Sequence, residues 1–345
     1  VTTTPRSLVT GGAGFIGRWV VARLLQQGHR VTVLDDLSNG RRENLREFEG
    51  HALFEGLREG DVTDTECLKE LFAGEGFDQV FHLAASIHVQ KSIDDPWPTF
   101  RNDAEGTFRL LEACREQFFA RNGLTIANRA FDYEKQQPLL RDRRPRLTVM
   151  STCMVYDLAA DQAIAETHPY RPASPYAAAK IAADALAISY FHSYSLPVTV
   201  VRPFNTYGPC QKSNSEGGVV SIFLMRDIAA EPLKVKGSGL QTRDLLYVED
   251  CADFILAAST SREAEGQIIN AGTGSEVSIV DLAAKCRTGS NTVEKVAHDH
   301  PQAEIMRLRC DSSKASRLLG WKPTVSLDEG LRRTRAWLAD NRWAW

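Results

Sequence analysis

Leu8-Val9-Thr10-Gly11-Gly12-Ala13-Gly14-Phe15-Ile16-Gly17 is an apolar run that breaks into glycines and then opens a helical pattern over Phe15–Gln27. That strand–loop–helix order is what a pyrophosphate-binding turn requires. Glycines let the backbone approach the phosphates, and the helix N-terminus supplies free N–H groups and a partial positive charge. The flanking pattern makes the short motif specific. The glycines fall three and three apart, at Gly11, Gly14 and Gly17, and not in the G-x-G-x-x-G form. A dinucleotide is the expected ligand.

The next strand candidate, Arg30–Leu34, runs into Asp35-Asp36. A carboxylate about 20 residues beyond the glycine loop accepts from adenosine ribose hydroxyls and repels a 2′-phosphate. Asp35 ends the strand and is the better candidate; Asp36 reads equally as a solvent-facing turn residue. The nearest basic residues, Arg41 and Arg42, lie beyond the turn Ser38-Asn39-Gly40, so NAD is expected over NADP. Asp61, in Gly60-Asp61-Val62 after a third strand, reads as an acceptor for the adenine amino group. It also reads as the N-cap of a helix over Thr65–Phe72, and the two roles are compatible.

Further strands are expected at Ser7–Thr10, Gln79–Leu83, Leu147–Ser151 and Val198–Arg202, and helices at Trp97–Gln117 and Ser174–Tyr194. Alternating strands and helices imply a parallel sheet covered on both faces. Beyond Asn205 the pattern loosens into short segments, as expected of a smaller lobe. The expected division is residues 1–204 for the dinucleotide-binding domain and 205–345 mainly for the lobe, with some segments returning to the large domain. Phe119–Arg146 is polar and carries Arg141, Arg143, Arg144 and Arg146; it reads as a solvated insertion or small surface helix, or as a helical arm.

Charge and composition narrow the class. With 43% hydrophobic and 25% charged residues the 345-residue chain is an ordinary globular one. A net charge of −3 gives no basic field, so no nucleic-acid role is expected. The seven cysteines form no C-x-x-C pair or His/Cys cluster, so neither a metal nor a disulfide framework is expected. No membrane-spanning stretch or signal region is evident, and the chain reads as cytoplasmic.

Tyr176-Ala-Ala-Ala-Lys180 opens the helix that follows Ser174-Pro175. At i and i+4 the phenol and the ammonium share one helix face, and the positive charge favours phenolate, lowering the tyrosine pKa toward a value useful for proton transfer. Ser151-Thr152 ends an apolar strand, at the carboxyl edge where open α/β sheets bind ligands. Thr152 is placed to hydrogen-bond the hydroxyl that Tyr176 deprotonates. His82 reads as a packed core histidine.

With these residues in view, the chain resembles the extended short-chain dehydrogenases/reductases that act on nucleotide sugars. The matching motifs are Thr10–Gly17, Asp35-Asp36-Leu37-Ser38, His82-Leu83-Ala84-Ala85, Ser151-Thr152 with Val155-Tyr156, and Ser174–Lys180. They continue through Arg202-Pro-Phe-Asn205-Thr-Tyr-Gly-Pro209, Gln241-Thr-Arg243-Asp244 with Tyr247-Val-Glu-Asp250, and Leu319-Gly-Trp321. The resemblance implies a doubly wound Rossmann-type α/β fold with a smaller C-terminal substrate lobe, and an NAD that is reduced and reoxidised within one cycle. It implies cofactor contacts from Gly11, Gly14, Phe15, Ile16, Gly17, Asp35, Asp36, Asn39, Asp61, Val62, Leu83, Ala84, Ala85, Tyr176 and Lys180. Tyr176 would be the base on the sugar C4 hydroxyl, Thr152 would orient that hydroxyl, and Lys180 would hold the nicotinamide ribose. Asn205, Val219, Val220, Arg243 and one of Arg307 or Arg309 would meet the nucleotide diphosphate, guanidinium forks suiting phosphates. A homodimer through the Trp97–Gln117 and Ser174–Tyr194 helices is also implied.

The resemblance leaves the reaction open, because the family branches from a 4-keto sugar. Its 4,6-dehydratases carry an Asp-Glu pair after the catalytic Thr, and its uronate decarboxylases a Glu at the second of those positions. Here the two are Cys153 and Met154, so the usual agent for C5 proton removal is missing. Epimerisation at C4 needs only room for the keto sugar to turn, and a nucleotide-sugar 4-epimerase is the expected activity. Gly218–Phe223 and Gly237–Arg243 resemble a UDP-glucuronate decarboxylase, but the arginine of that subfamily is here Leu308, between Arg307 and Arg309. An atypical 4,6- or 5,6-dehydratase is the other alternative, and a non-catalytic NAD-binding regulator is a further one. One more departure is Asp103, where the family has Asn.

Overall fold

A computed structural model describes residues 4–125, 131–132, 137–138, 142–157, 162–212, 218–298 and 305–344. Seven parallel strands form the central sheet: β1 (Arg6–Thr10), β2 (Arg30–Asp35), β3 (Phe54–Glu59), β4 (Gln79–His82), β5 (Arg146–Met150), β6 (Val198–Pro203) and β7 (Ile268–Ala271). Their order across the sheet is β3-β2-β1-β4-β5-β6-β7. The chain therefore winds outward from β1 to one edge, returns, and continues from β4 to the other. The crevice between the carboxyl ends of β1 and β4 is the switch point at which such sheets bind ligands.

Side-chain alternation along the strands divides the core in two. Val9, Val33 and Phe81 face one side, under α1 (Phe15–Gln26) and a later helix, Val248–Thr260. Leu8, Leu34 and Val80 face the other, under α2 (Thr65–Phe72), α3 (Gly106–Asn122) and α4 (Pro175–Tyr194). Strands β1 and β2 are almost wholly buried, whereas edge strand β3 is half-exposed. This is the doubly wound α/β fold expected from the sequence.

Two expectations need correction. The helix expected over Trp97–Gln117 is built in three pieces: a short α segment at Pro96–Phe100, a π turn at Arg101–Glu105, and α3, which runs on to Asn122 and ends at the left-handed Gly123. The N-cap of α2 is Asp64, whose side chain accepts from the Glu66 and Cys67 amides at 2.9 and 3.2 Å, and not Asp61. The expected insertion Phe119–Arg146 lies partly outside the described residues; at its described ends, Phe119 is buried and the arginines are paired. Arg143 and Arg146 pair with Glu265, and Arg144 pairs with Asp78 and Asp142. Arg141 lies outside the described residues.

After Phe204 the chain builds short two- and three-stranded sheets. Leu233–Lys236 pairs with Val293–Val296, and Thr242–Arg243 lies between Val277–Ser278 and Arg307–Leu308. Leu233, Val235, Phe223 and Leu282 form a separate apolar cluster there. The Val248–Thr260 helix and β7 return to the large sheet.

Candidate active site

A cleft of about 840 Å³ runs from the glycine loop, along the carboxyl ends of the strands, to the smaller lobe. That is the size of pocket that encloses a sizeable organic ligand. At one end, Gly14 caps α1 with no side-chain hydrogen bond, and Gly14, Phe15, Ile16 and Gly17 line the cleft. The helix N-terminus is thus presented to a ligand. Gly11 has φ +71°, and a Cβ there would sit 2.6 Å from the Ala84 amide nitrogen, so the loop packs directly on the backbone that follows β4. The residues present fit a bound pyrophosphate.

Asp35 is buried at the end of β2, where its two carboxylate oxygens accept from the Ala13 and Leu37 amides, each at 2.9 Å. It fixes the glycine loop and lines the cleft; burial pushes its carboxyl above the usual range. Asp36 is exposed and accepts from the Ser38 amide and hydroxyl, although it too borders the cleft. Asn39, Val62, Leu83, Ala84 and Ala85 line the same end. Asp61 does not: it accepts from the Thr63 amide and meets Arg101 at 3.3 Å. Lys212, from a distant loop, donates to Asn39 Oδ1 at 3.2 Å without itself lining the cleft.

At the centre stand Thr152, Tyr176 and Lys180. Thr152 follows β5 and caps a single turn, its hydroxyl accepting from the Met154 amide at 3.1 Å; with Tyr176 it lines the cleft. Ser174 caps α4 and Pro175 occupies its first turn, so Tyr176 and Lys180 project from a helix start fixed by the sequence. The sequence predicts a lowered phenol pKa; the structure shows the reverse. Burial first, and then the charge of Asp103, push the Tyr176 phenol up. Helix spacing carries no information on burial, which is the larger cause, or on the carboxylate that comes to face the lysine. Lys180 Nζ donates to the Met150 carbonyl at 3.3 Å and lies 3.8 Å from Asp103 Oδ2.

Cys153 and Met154 line the cleft beside this group, and burial pushes the Cys153 thiol up to about 12. Among the described residues the only carboxylates lining the cleft are Asp35 and Asp36, at the far end. On the lobe side, Asn205 projects a buried Oδ1 that has no partner among the described residues. Val219 borders the cleft, whereas Val220 is in the lobe core. Arg243 lines the cleft, steadied by the Thr242 and Ile305 carbonyls at 2.7 and 2.8 Å. Arg307 does not reach it: it aligns with Thr242, so alternation turns it to the opposite face from Arg243, where Glu276 pairs with it. Lys234, Lys236 and Arg226 add positive charge to the cleft wall. The alternation Leu233-Lys234-Val235-Lys236, apolar residues buried and lysines exposed, was the signal that locates two of them.

Comparison with known proteins agrees with this architecture. The family model described as GDP-mannose 4,6 dehydratase matches residues 8–334. A UDP-glucose 4-epimerase of Mycolicibacterium smegmatis is 36% identical, the match spanning 95% of this chain and 97% of that one. The crystal structure of Pal from Bacillus thuringiensis superposes with a TM-score of 0.88 at 47% identity, covering 97% and 99% of the two chains. A dTDP-glucose 4,6-dehydratase of Streptomyces venezuelae, solved with NAD bound, superposes with a TM-score of 0.84 at 29% identity over 99% and 98%. The fold and cleft define a dinucleotide-binding protein of the short-chain dehydrogenase/reductase type. The chain belongs to the extended branch of that type, the nucleotide-sugar epimerase and dehydratase family.

Proposed function

We propose that the protein is an NAD-dependent nucleotide-sugar 4-epimerase working through a transient 4-keto sugar. The observation that carries this reading is the wall beside Thr152 and Tyr176: Cys153 and Met154 stand there, and no described carboxylate lines that end of the cleft. Proton removal at C5 has no evident base, while inversion at C4 needs none.

The glycine loop, Asp35 and Lys180 hold NAD, which supplies a reversible two-electron acceptor for the sugar carbon. Tyr176 takes the proton of the C4 hydroxyl as C4 is oxidised, and returns it when C4 is reduced on the other face. Thr152 orients that oxygen. Lys180 holds the cofactor ribose and stabilises phenolate. Asn205 and Arg243, with Arg226, Lys234 and Lys236 nearby, meet the nucleotide diphosphate, consistent with an Asn205 Oδ1 that has no partner among the described residues and with the positive wall. Residues up to Phe204 act as the cofactor domain and the later lobe as the substrate clamp. Two copies associate through the helices that carry the exposed Trp97, Phe100 and Phe108.

The dehydratase reading is favoured by a different observation, the likeness to dTDP-glucose 4,6-dehydratases such as that of Neisseria meningitidis, 32% identical over 98% of this chain. Mass and NMR analysis of products from UDP- and dTDP-hexoses and UDP-hexuronates separates the readings. A new sugar of unchanged mass is expected; loss of water or of CO2 overturns the epimerase reading. Tyr176→Phe is expected to lower turnover by about 10²-fold or more while leaving cofactor binding near wild type.

A further inference from the structure

Behind the Tyr176–Lys180 pair lies a carboxylate that the reaction as derived does not use. Asp103 sits in the π turn Arg101–Glu105 and is completely buried. Its Oδ1 accepts from the Ser86 amide at 2.6 Å and from Asn102 Nδ2 at 3.0 Å. Its Oδ2 accepts no hydrogen bond among the described residues and lies 3.8 Å from Lys180 Nζ. A π turn widens a helix by one residue and re-aims the side chains it carries. Here the turn delivers a carboxylate to a lysine on a neighbouring helix.

The surroundings single out Asp103 as the charge that acts on this lysine. Asp184, on the same helix as Lys180, is also buried, but its Oδ2 is taken by Arg202 at 2.6 Å and by the Ser151 hydroxyl at 2.8 Å. The negative charge of Asp184 is therefore largely cancelled by the fully buried guanidinium beside it. His82 on β4 is neutral, its ring held between Thr10 and Thr107. Cys153 is a protonated thiol. Among the described residues Asp103 has no guanidinium of its own. Burial raises the Asp103 carboxyl above the usual range, while the two N–H donors on one oxygen and the ammonium facing the other act the opposite way and favour the ionised form.

We propose that Asp103 is a positioning residue for the Tyr176–Lys180 pair: its carboxylate holds the Lys180 ammonium and offsets the field that this ammonium exerts on the Tyr176 phenol, so that three groups set the acid–base balance of the site. The inference rests on Tyr176 being the group that takes the sugar proton. An acid–base group between two faces of one carbon must release its proton as readily as it takes it. A partly offset lysine restrains the phenol from ionising too readily for that return step.

Asp103→Asn keeps an Oδ1 acceptor for Ser86 and Asn102 and removes the charge. Because the negative neighbour is lost, phenolate becomes easier to form. The midpoint of Tyr176 ionisation is expected to fall by about one pH unit, corresponding to about tenfold more phenolate on the acid side. It is read from tyrosinate ultraviolet absorbance of the cofactor-loaded protein, with the Tyr176→Phe spectrum subtracted. The acid limb of the pH–rate profile is expected to move down with it. Asp103→Ser, which adds no amide donor facing Lys180, is expected to give the same shift and serves where the Asn variant folds poorly. A midpoint that stays put, or rises, overturns the proposal even where turnover falls, since that is the signature of lost packing alone. Were the midpoint to fall while Tyr176→Phe retained full turnover, the charge coupling would stand and the assignment of Tyr176 as base would fail.

Discussion

His82 shows how a buried side chain near the reacting groups ties stability to pH. Its ring nitrogens lie 2.8 Å from Thr10 Oγ1 and 3.0 Å from Thr107 Oγ1. Burial, then the nearby Lys180 charge, depress its pKa from 6.5 to about 3. Unfolded, the imidazole binds a proton below its ordinary pKa; folded, it does not until about pH 3. Its contribution is therefore present above pH 6.5 and is lost as pH falls toward the folded value, with about 2 kcal/mol gone by pH 5. His82→Asn is expected to narrow the gap between urea midpoints at pH 7 and pH 5, because Asn has no proton to take up. An undiminished gap would show that other groups dominate the acid limb. His82 and the Tyr176–Lys180 spacing were legible as residues, but the direction of the Tyr176 shift was not. The i, i+4 rule supplies a neighbouring lysine; it does not say that the phenol is buried or that Asp103 comes to face the lysine.

Among the elements, the glycine loop makes the most demanding fit. Gly11 and Gly28 share a left-handed backbone, φ +71° and +80°, but only Gly11 has the Ala84 amide where a Cβ would go; at Gly28 there is open space. The two alanine variants thus separate conformational strain from close approach. Gly28→Ala is expected to cost about 1 kcal/mol in a thermal melt and leave cofactor affinity intact. Gly11→Ala is expected to lose at least about tenfold in NAD affinity as well, measured by cofactor titration, because β1 and β4 are paired in register through Thr10 and His82 and neither strand can retreat. Equal cofactor affinity in the two variants would mean that the loop tolerates displacement. The strands and helices of the sheet were readable because their apolar periods extend over enough residues to be recognised. The π turn was not, since one extra residue in a helical turn barely disturbs the pattern. Nor were the lobe's sheets, where strands such as Thr242–Arg243 and Arg307–Leu308 are too short to show a period. That is why Arg307 was expected in the cleft.

At the scale of the whole molecule, the segment that carries Asp103 is continuous with an apolar surface. Trp97 and Phe100, 61% and 49% exposed, stack with ring centroids 5.8 Å apart on the turn immediately before Arg101–Glu105, and Phe108, 37% exposed, follows on α3. Large apolar side chains grouped on one surface mark an interaction site more often than they occur by accident. A second copy covering this face would bury the outer side of the same helix whose inner side packs on α4. Sedimentation is therefore expected to report a dimer, and Trp97→Glu, which places a charge at the most exposed ring, to convert it to monomer. The monomeric variant is expected to keep its fold by circular dichroism, because Trp97 contributes little to the interior. Its turnover is expected to fall several-fold, because the covering that steadies the π turn behind Lys180 is gone. A wild-type monomer, or a Trp97→Glu protein that remains dimeric, would remove this face from the assembly and leave Asp103 dependent on its own chain alone.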